Sequence, residues 1–297
     1  MPLRDFALLV GVCLLWALNN IVSKLVVSQL DCPPLFYAAA RFAVVAALTV
    51  PWLLPAPRPL WRVVVVALLM GGGNFAVFFV GLKTATPSAA AVVLQLGVPM
   101  TTLLSWLILG EQLRWRRGLG IGLTFAGALL VMWDPGGFVI STGLIYIALA
   151  AFLGSLGAVM MKQVEGVKPL QFQAWVGFSS ILPLSAMTWA FEPGQVQAAM
   201  AAGWPLVGAV VFSAVVVSVI GHTVYYGLIQ RHDANLISPL TLMTPLATIL
   251  LGVLVTHDAF GPRMAMGTAL ALLGVLIIAL RPNKVMPLLL AIRNRDQ

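Results

Sequence analysis

Charge is scarce in this chain: 9% of its 297 residues are charged, and only nine are Asp or Glu. A water-soluble domain carries roughly 25% charged residues, so the composition excludes one and leaves no room for a separate soluble unit. Histidine is scarcer still, and its three copies, His222, His232 and His257, fall in different segments. That scatter provides no metal-ligand spacing. Gly154-Ser155-Leu156-Gly157 misses the spacing of a nucleophile elbow. An intramembrane enzyme is therefore the weakest reading, and neither metal nor cofactor is expected. Cysteine occurs twice, at Cys13 inside the first predicted helix and Cys32 just beyond its far end. At about 1.5 Å of rise per residue the two stay apart, so no disulfide is expected. The net charge of +8 arises from basic residues scattered singly between apolar runs, which argues against a nucleic-acid partner. The first apolar run also lacks a small-residue cleavage site and reads as a retained helix.

What the chain has is apolar sequence, 61% of the total. A bilayer core about 30 Å thick needs roughly 20 apolar residues per helix. Runs bounded by charge or Pro/Gly clusters fall near 6–28, 34–54, 60–82, 87–109 and 116–133, then 138–161, 168–190, 203–229, 235–256 and 262–280. These predict an all-α membrane protein of ten transmembrane helices. With a cytoplasmic N-terminus, thirteen Lys and Arg lie in or beside cytoplasmic segments, among them Arg4, Arg58, Arg62, Arg114, Lys162, Arg231 and Arg281. Only Lys83 and Arg263 fall outside. This positive-inside bias supports both the span count and cytoplasmic placement of both termini. Trp52, Trp61, Trp115, Trp133, Trp189 and Trp204 stand near span ends, as interfacial anchors do.

The two halves resemble each other. Gly81, Leu82 and Pro99 recur as Gly227, Leu228 and Pro245 at an offset of 146, and Glu111, Gly120 and Gly127 as Asp258, Gly267 and Gly274 at 147. Five helices per half is an odd number, so the second copy enters the membrane upside down. The expected organisation is a first repeat over 1–135, an inverted second repeat over 136–281, a cytoplasmic tail over 282–297, and a solute site in a central cavity between the halves.

The mid-helix proline, the acidic residue ending that helix and the glycine-bearing last helix, each present twice, resemble the EamA repeat of the drug/metabolite transporter superfamily. Leu15-Trp16 followed by Asn19, Asn20 and Lys24 looks like that repeat's opening. The resemblance covers about residues 5 to 281, and within the superfamily the chain is most similar to the aromatic amino acid exporters of bacterial inner membranes. Thr256-His257-Asp258 departs from the pattern of Gly110-Glu111. The resemblance implies a multi-pass inner-membrane exporter. The expected partners are its small-molecule substrate and membrane lipid, and both a monomer and an oligomer fit the sequence.

Polar groups within spans are the candidate site residues, because each is costly in lipid unless it faces protein or water. Trp16, Asn20 and Lys24 share one face of the first helix, and Arg41 and Asn74 reach the same outer half from the second and third. These form a positively biased vestibule suited to a carboxylate, with Arg41 the bidentate partner. They equally fit structural roles: Lys24 snorkelling, Arg41 bonding helix-end carbonyls, and the two Asn joining helices. Phe78, Trp175, Phe178, Tyr225 and Tyr226 are rings away from the interfaces that could stack on a planar solute or simply pack. His222 titrates near neutrality when unperturbed and fits either a proton relay or a packed histidine. Pro99 and Pro245 free the carbonyls of Gln95 and Thr241, as a hinge pair or as static kinks.

Every Asp and Glu falls at a predicted helix end or in a loop, whereas a proton antiporter for cationic drugs needs a carboxylate within the membrane. A channel would need a ring of like charges or a filter sequence. The expected function is export of a small metabolite, aromatic or other amino acids, by alternating access and facilitated diffusion. Nucleosides and sugar phosphates are the alternative cargo.

Overall fold

The computed structural model describes every residue except 111, 112, 114, 135–138, 162, 165, 233–236, 238, 239 and 280–297, and omits the side chains of 134, 139, 140, 226, 229 and 230. Glu111, Arg114, Lys162 and the 282–297 tail lie outside the described residues.

The first half runs α1 (Leu3–Ser28), α2 (Pro34–Thr49), α3 (Leu60–Met70), α4 (Gly72–Thr84), α5 (Pro87–Leu94), α6 (Gly97–Leu109) and α7 (Trp115–Met132). A two-residue ladder, β1 (Trp133–Asp134) with β2 (Val139–Ile140), joins it to α8 (Thr142–Met161), α9 (Pro169–Phe191), α10 (Gln195–Val211), a π-helix (Phe212–Gly221), α11 (His222–Arg231), α12 (Met243–Val255) and α13 (Pro262–Ala279). Eight helical stretches among the described residues are long and apolar enough to cross a bilayer, with α3–α4, α5–α6 and α10 through Tyr225 each counting as one. The other two passes are α12, apolar but 13 residues long, and α7, whose first turn holds Trp115, Arg116 and Arg117. The fold is the ten-helix membrane architecture expected. All six interfacial Trp are exposed, Trp204 most of all at 85%.

The repeat is visible in the helix ends. α6 and α12 each contain 13 residues and start 146 residues apart, and α7 and α13 each contain 18 and start 147 apart. Pro99 and Pro245 are both the third residue of their helices. They do not kink a continuous helix, as the sequence suggests. Each lies in the first turn after a break, where a proline's missing N–H costs nothing. The carbonyls of Gln95 and Thr241 are recaptured three residues on, by Val98 N at 3.2 Å and Thr244 N at 3.0 Å.

α7 and α13 cross at their glycines. A β-carbon on Gly127 would stand 2.5 Å from Gly267 O and from Ala271 N, and one on Gly274 would stand 2.5 Å from Gly120 O. Only glycine allows this approach, and backbones in contact maximise the dispersion that holds helices together in lipid. Gly120 opposes Gly274 and Gly127 opposes Gly267, so the contact maps onto itself when the halves are exchanged. Thr124 sits at its centre, donating to Gly120 O at 2.9 Å.

The passes containing α3–α4 and α10–α11 are not continuous helices. The first breaks at Gly71, with φ −110° and ψ −108°. The second turns at Gly203, with φ 58° where the span was expected to begin, and then widens into the π-helix. Ser218, in that π-helix, is the 146-offset counterpart of Gly72, so both halves deform at corresponding points.

Candidate solute-binding site

The π-helix brings two hydroxyls inward. Ser218 Oγ donates to the carbonyl of Ser213, five residues back, at 3.0 Å, and accepts from Arg41 Nε at 3.1 Å and Nη2 at 2.9 Å. Ser213 Oγ donates to Asn19 Oδ1 at 2.8 Å and accepts from the Tyr37 hydroxyl at 2.6 Å. A buried polar network thus joins α1 and α2 of the first half to the π-helix of the second. Extended π-helical stretches are rare and concentrate at functional sites.

Arg41 is its charged centre and is fully buried, at 0% exposure. Its guanidinium carbon lies 4.3 Å from the centroid of the Phe75 ring, so one face is covered by an aromatic cloud. Ser218 holds one edge. Nη1 has no hydrogen-bond partner, and no described carboxylate lies within salt-bridge reach. Arg41 therefore does not bond helix-end carbonyls; that role falls to Lys24, whose Nζ donates to Leu82 O at 2.8 Å and Lys83 O at 3.3 Å. These bonds tie the end of α1 to the end of α4.

Trp16 packs its ring against His222 at 5.5 Å and edge-on to Tyr225 at 4.8 Å. Its Nε1 is buried without a partner and lies 3.8 Å from where a β-carbon on Gly221 would stand. Trp16 and Arg41 thus meet the π-helix within one turn of each other, at Gly221 and Ser218. The His222 ring bonds the Val217 carbonyl through Nδ1 at 3.0 Å, as a packed histidine does. The side chain of Tyr226 lies outside the description.

The remaining candidates separate from this cluster. Asn20 donates to Thr248 Oγ1 at 3.3 Å and joins α1 to α12, and Asn74 donates to the Ala150 carbonyl of α8. Both join helices. Phe78 is core, packed on Phe79 at 5.6 Å. Trp175 is buried, with Nε1 unpartnered, and meets Phe178 edge-on at 6.0 Å. Phe178 itself is 53% exposed and shares its helix face with Leu182 and Trp189, four and eleven residues on, both strongly exposed. That spacing marks the lipid-facing stripe of α9, not a solute site.

Among the described residues the polar site occurs once. α2 and α9 both open with Pro-Leu, and seven residues after that proline stand Arg41 and Val176 respectively. Val176 packs against Gly71, where a β-carbon would come within 2.4 Å of its Cγ1. The position that is cationic in one half is aliphatic in the other.

Sequence inspection assigns no role to Asp5. It is buried in the first turn of α1, 2.7 Å from His232 Nε2 and 3.9 Å from Arg231 Nη1. The start of α1 and the end of α11 therefore share one face of the molecule. At the opposite ends, Glu192 accepts from Leu35 N at 2.8 Å and Phe36 N at 2.9 Å, and Asp258 accepts from Ser88 N at 2.8 Å. Each carboxylate satisfies helix-start amides of the other half, where the dipole favours negative charge.

Comparison with known proteins places this geometry in context. The EamA-like transporter family matches residues 5–133 and again 141–280. A probable amino-acid metabolite efflux pump of Salmonella typhimurium is 25% identical, with 93% of this chain and 95% of that protein aligned. The protein so described in Escherichia coli is 23% identical at the same coverage. A solved crystal structure 21% identical in sequence superposes with a TM-score of 0.59 over 99% of both chains, a likeness of fold.

Proposed function

Because the chain belongs to the EamA-like transporter family, we propose that it exports a small metabolite, aromatic or other amino acids foremost, from the cytoplasm across the bacterial inner membrane. One observation carries this reading: a buried cation, Arg41, is held between the two halves with one nitrogen unbonded. A charge in that position is costly in lipid unless something polar meets it, and a solute carboxylate is the matching group. The half-buried rings of Trp16 and Tyr225 beside it supply a surface for an aromatic body. The efflux pumps named above, at about a quarter identity, support the same class of cargo.

Arg41 is wholly covered, so solute reaches it only when the halves move apart, which is alternating access around a site at the repeat interface. The breaks before Pro99 and Pro245 are the places for that movement. Facilitated diffusion is the preferred energetics, because every Asp and Glu of the sequence lies at a helix end or in a loop. The positive-inside bias supports a cytoplasmic position for both termini.

The purified chain in liposomes, loaded with an amino acid and assayed for counterflow of the labelled form, tests the proposal. Saturable, stereoselective exchange that falls at least tenfold in Arg41→Ala and in Trp16→Ala is expected. Non-saturating flux, or rates unaffected by both substitutions, would refute it.

A further inference from the structure

Two unfilled hydrogen-bonding groups of the site have the same sign. Arg41 Nη1 and Trp16 Nε1 are donors, both are buried, and neither has a partner. Three acceptors near them are already engaged: Ser218 Oγ takes two bonds from Arg41, Asn19 Oδ1 takes the Ser213 hydroxyl, and Val217 O takes the His222 ring. No described carboxylate is positioned to meet a second cation. The site thus offers an anionic oxygen two waiting N–H groups and offers an ammonium group no described carboxylate.

Net charge points the same way. Arg41 with a zwitterion bound leaves one uncompensated positive charge buried between the halves, while Arg41 with a monoanion leaves none. Removing one partner of a buried ion pair is strongly unfavourable, so the two complexes differ greatly in their tolerance of burial. Val176 occupies the pseudo-symmetric position of Arg41, so the described residues hold one such cation, which matches one negative charge.

Resting on the carrier reading above, we propose that the preferred cargo is an aryl monocarboxylate anion, an amino-acid derivative whose amino group is absent or acylated, in preference to the zwitterionic amino acid. An anion leaving the cell also moves down an inside-negative membrane potential, so export proceeds without a proton-linked carboxylate.

The full chain in liposomes is tested with three labelled probes, N-acetylphenylalanine, phenylalanine and phenethylamine, under a potassium-diffusion potential of either sign. The anion should show a kcat/KM at least tenfold above phenylalanine and its flux should reverse preference with the sign of the potential; the amine should not be carried. Arg41→Gln should abolish the anion's advantage and Arg41→Lys retain most of it, with thermal unfolding in detergent showing that both variants fold. Should Arg41→Gln not fold, the ranking of the three probes on the unmodified chain decides. Saturable, Arg41-dependent phenylalanine transport at or above the rate of the N-acetyl compound would overturn the monoanion preference while leaving the carrier intact. Absence of saturable flux for all three probes would overturn both.

Discussion

Arg41 is held by a single hydroxyl, and that makes Ser218 a sensitive position. Ser218→Ala leaves two more buried guanidinium N–H groups without an acceptor, at a cost of about 1–3 kcal/mol. The expected result is a lower melting temperature in detergent and weaker solute affinity, whereas Phe178→Ala, on the lipid face of α9, should leave transport kinetics unchanged. Cys32 lies between α1 and α2, and burial, followed by the nearby Glu192 and Asp31 carboxylates, pushes its thiol up to about 12. Since the thiolate is the reactive form, Cys32 should resist maleimide at pH 7 to 9, a property that mass measurement after labelling checks directly. Trp16 and Arg41 could be read from sequence because a large polar-tipped ring and a charge stand out within apolar runs. Ser213 and Ser218 could not. A serine in a membrane helix ordinarily bonds the carbonyl four residues back, as Ser180 does with Val176, and only the five-residue register of the π-helix turns these two toward Arg41 and Tyr37.

At the scale of elements, the two proline breaks and the glycine crossing have opposite duties. Pro99 and Pro245 follow turns closed by three-residue bonds, a weaker arrangement than helix, so the chain bends there most easily. Replacing both prolines by alanine lets each break heal toward continuous helix; turnover should fall several-fold while the melting temperature holds or rises, and paired flux and melting measurements distinguish this from misfolding. The α7–α13 crossing should not tolerate change. Gly127→Ala forces a methyl into backbone atoms and should destabilise by about 1–3 kcal/mol. Gly122→Ala on the same helix, with open space around it, should be neutral or slightly stabilising. Both glycine stripes and both prolines were visible as an internal repeat. The places of the breaks at Gly71 and Gln95 were not, because there the apolar pattern continues unbroken and hydropathy cannot register a local change of winding.

For the whole molecule, the inverted arrangement predicts which loops share a side. Single cysteines at Asp31 and Gly261 should react with a membrane-impermeant maleimide in intact cells, and those at Pro57 and Gln163 only after permeabilisation; any other pattern would contradict the orientation. The native Cys13 and Cys32 are both buried and should give little background. The ten-pass plan was legible because three physical signals, apolar length, basic flanks and interfacial tryptophans, alternate in step. The carboxylate caps at Glu192 and Asp258 were less so, since a loop acid reads as solvated until its partner helix is known.

The self-matching seam between α7 and α13 bears on descent. A surface that fits its own upside-down image can be owned by a chain half as long: Gly120, Thr124 and Gly127 already present the shape that Gly267, Ala271 and Gly274 receive. Fusing two copies head to tail would have added no new interface there, only a guarantee that the partners arrive in equal number, after which the two copies were free to differ, with an arginine in one where the other has a valine.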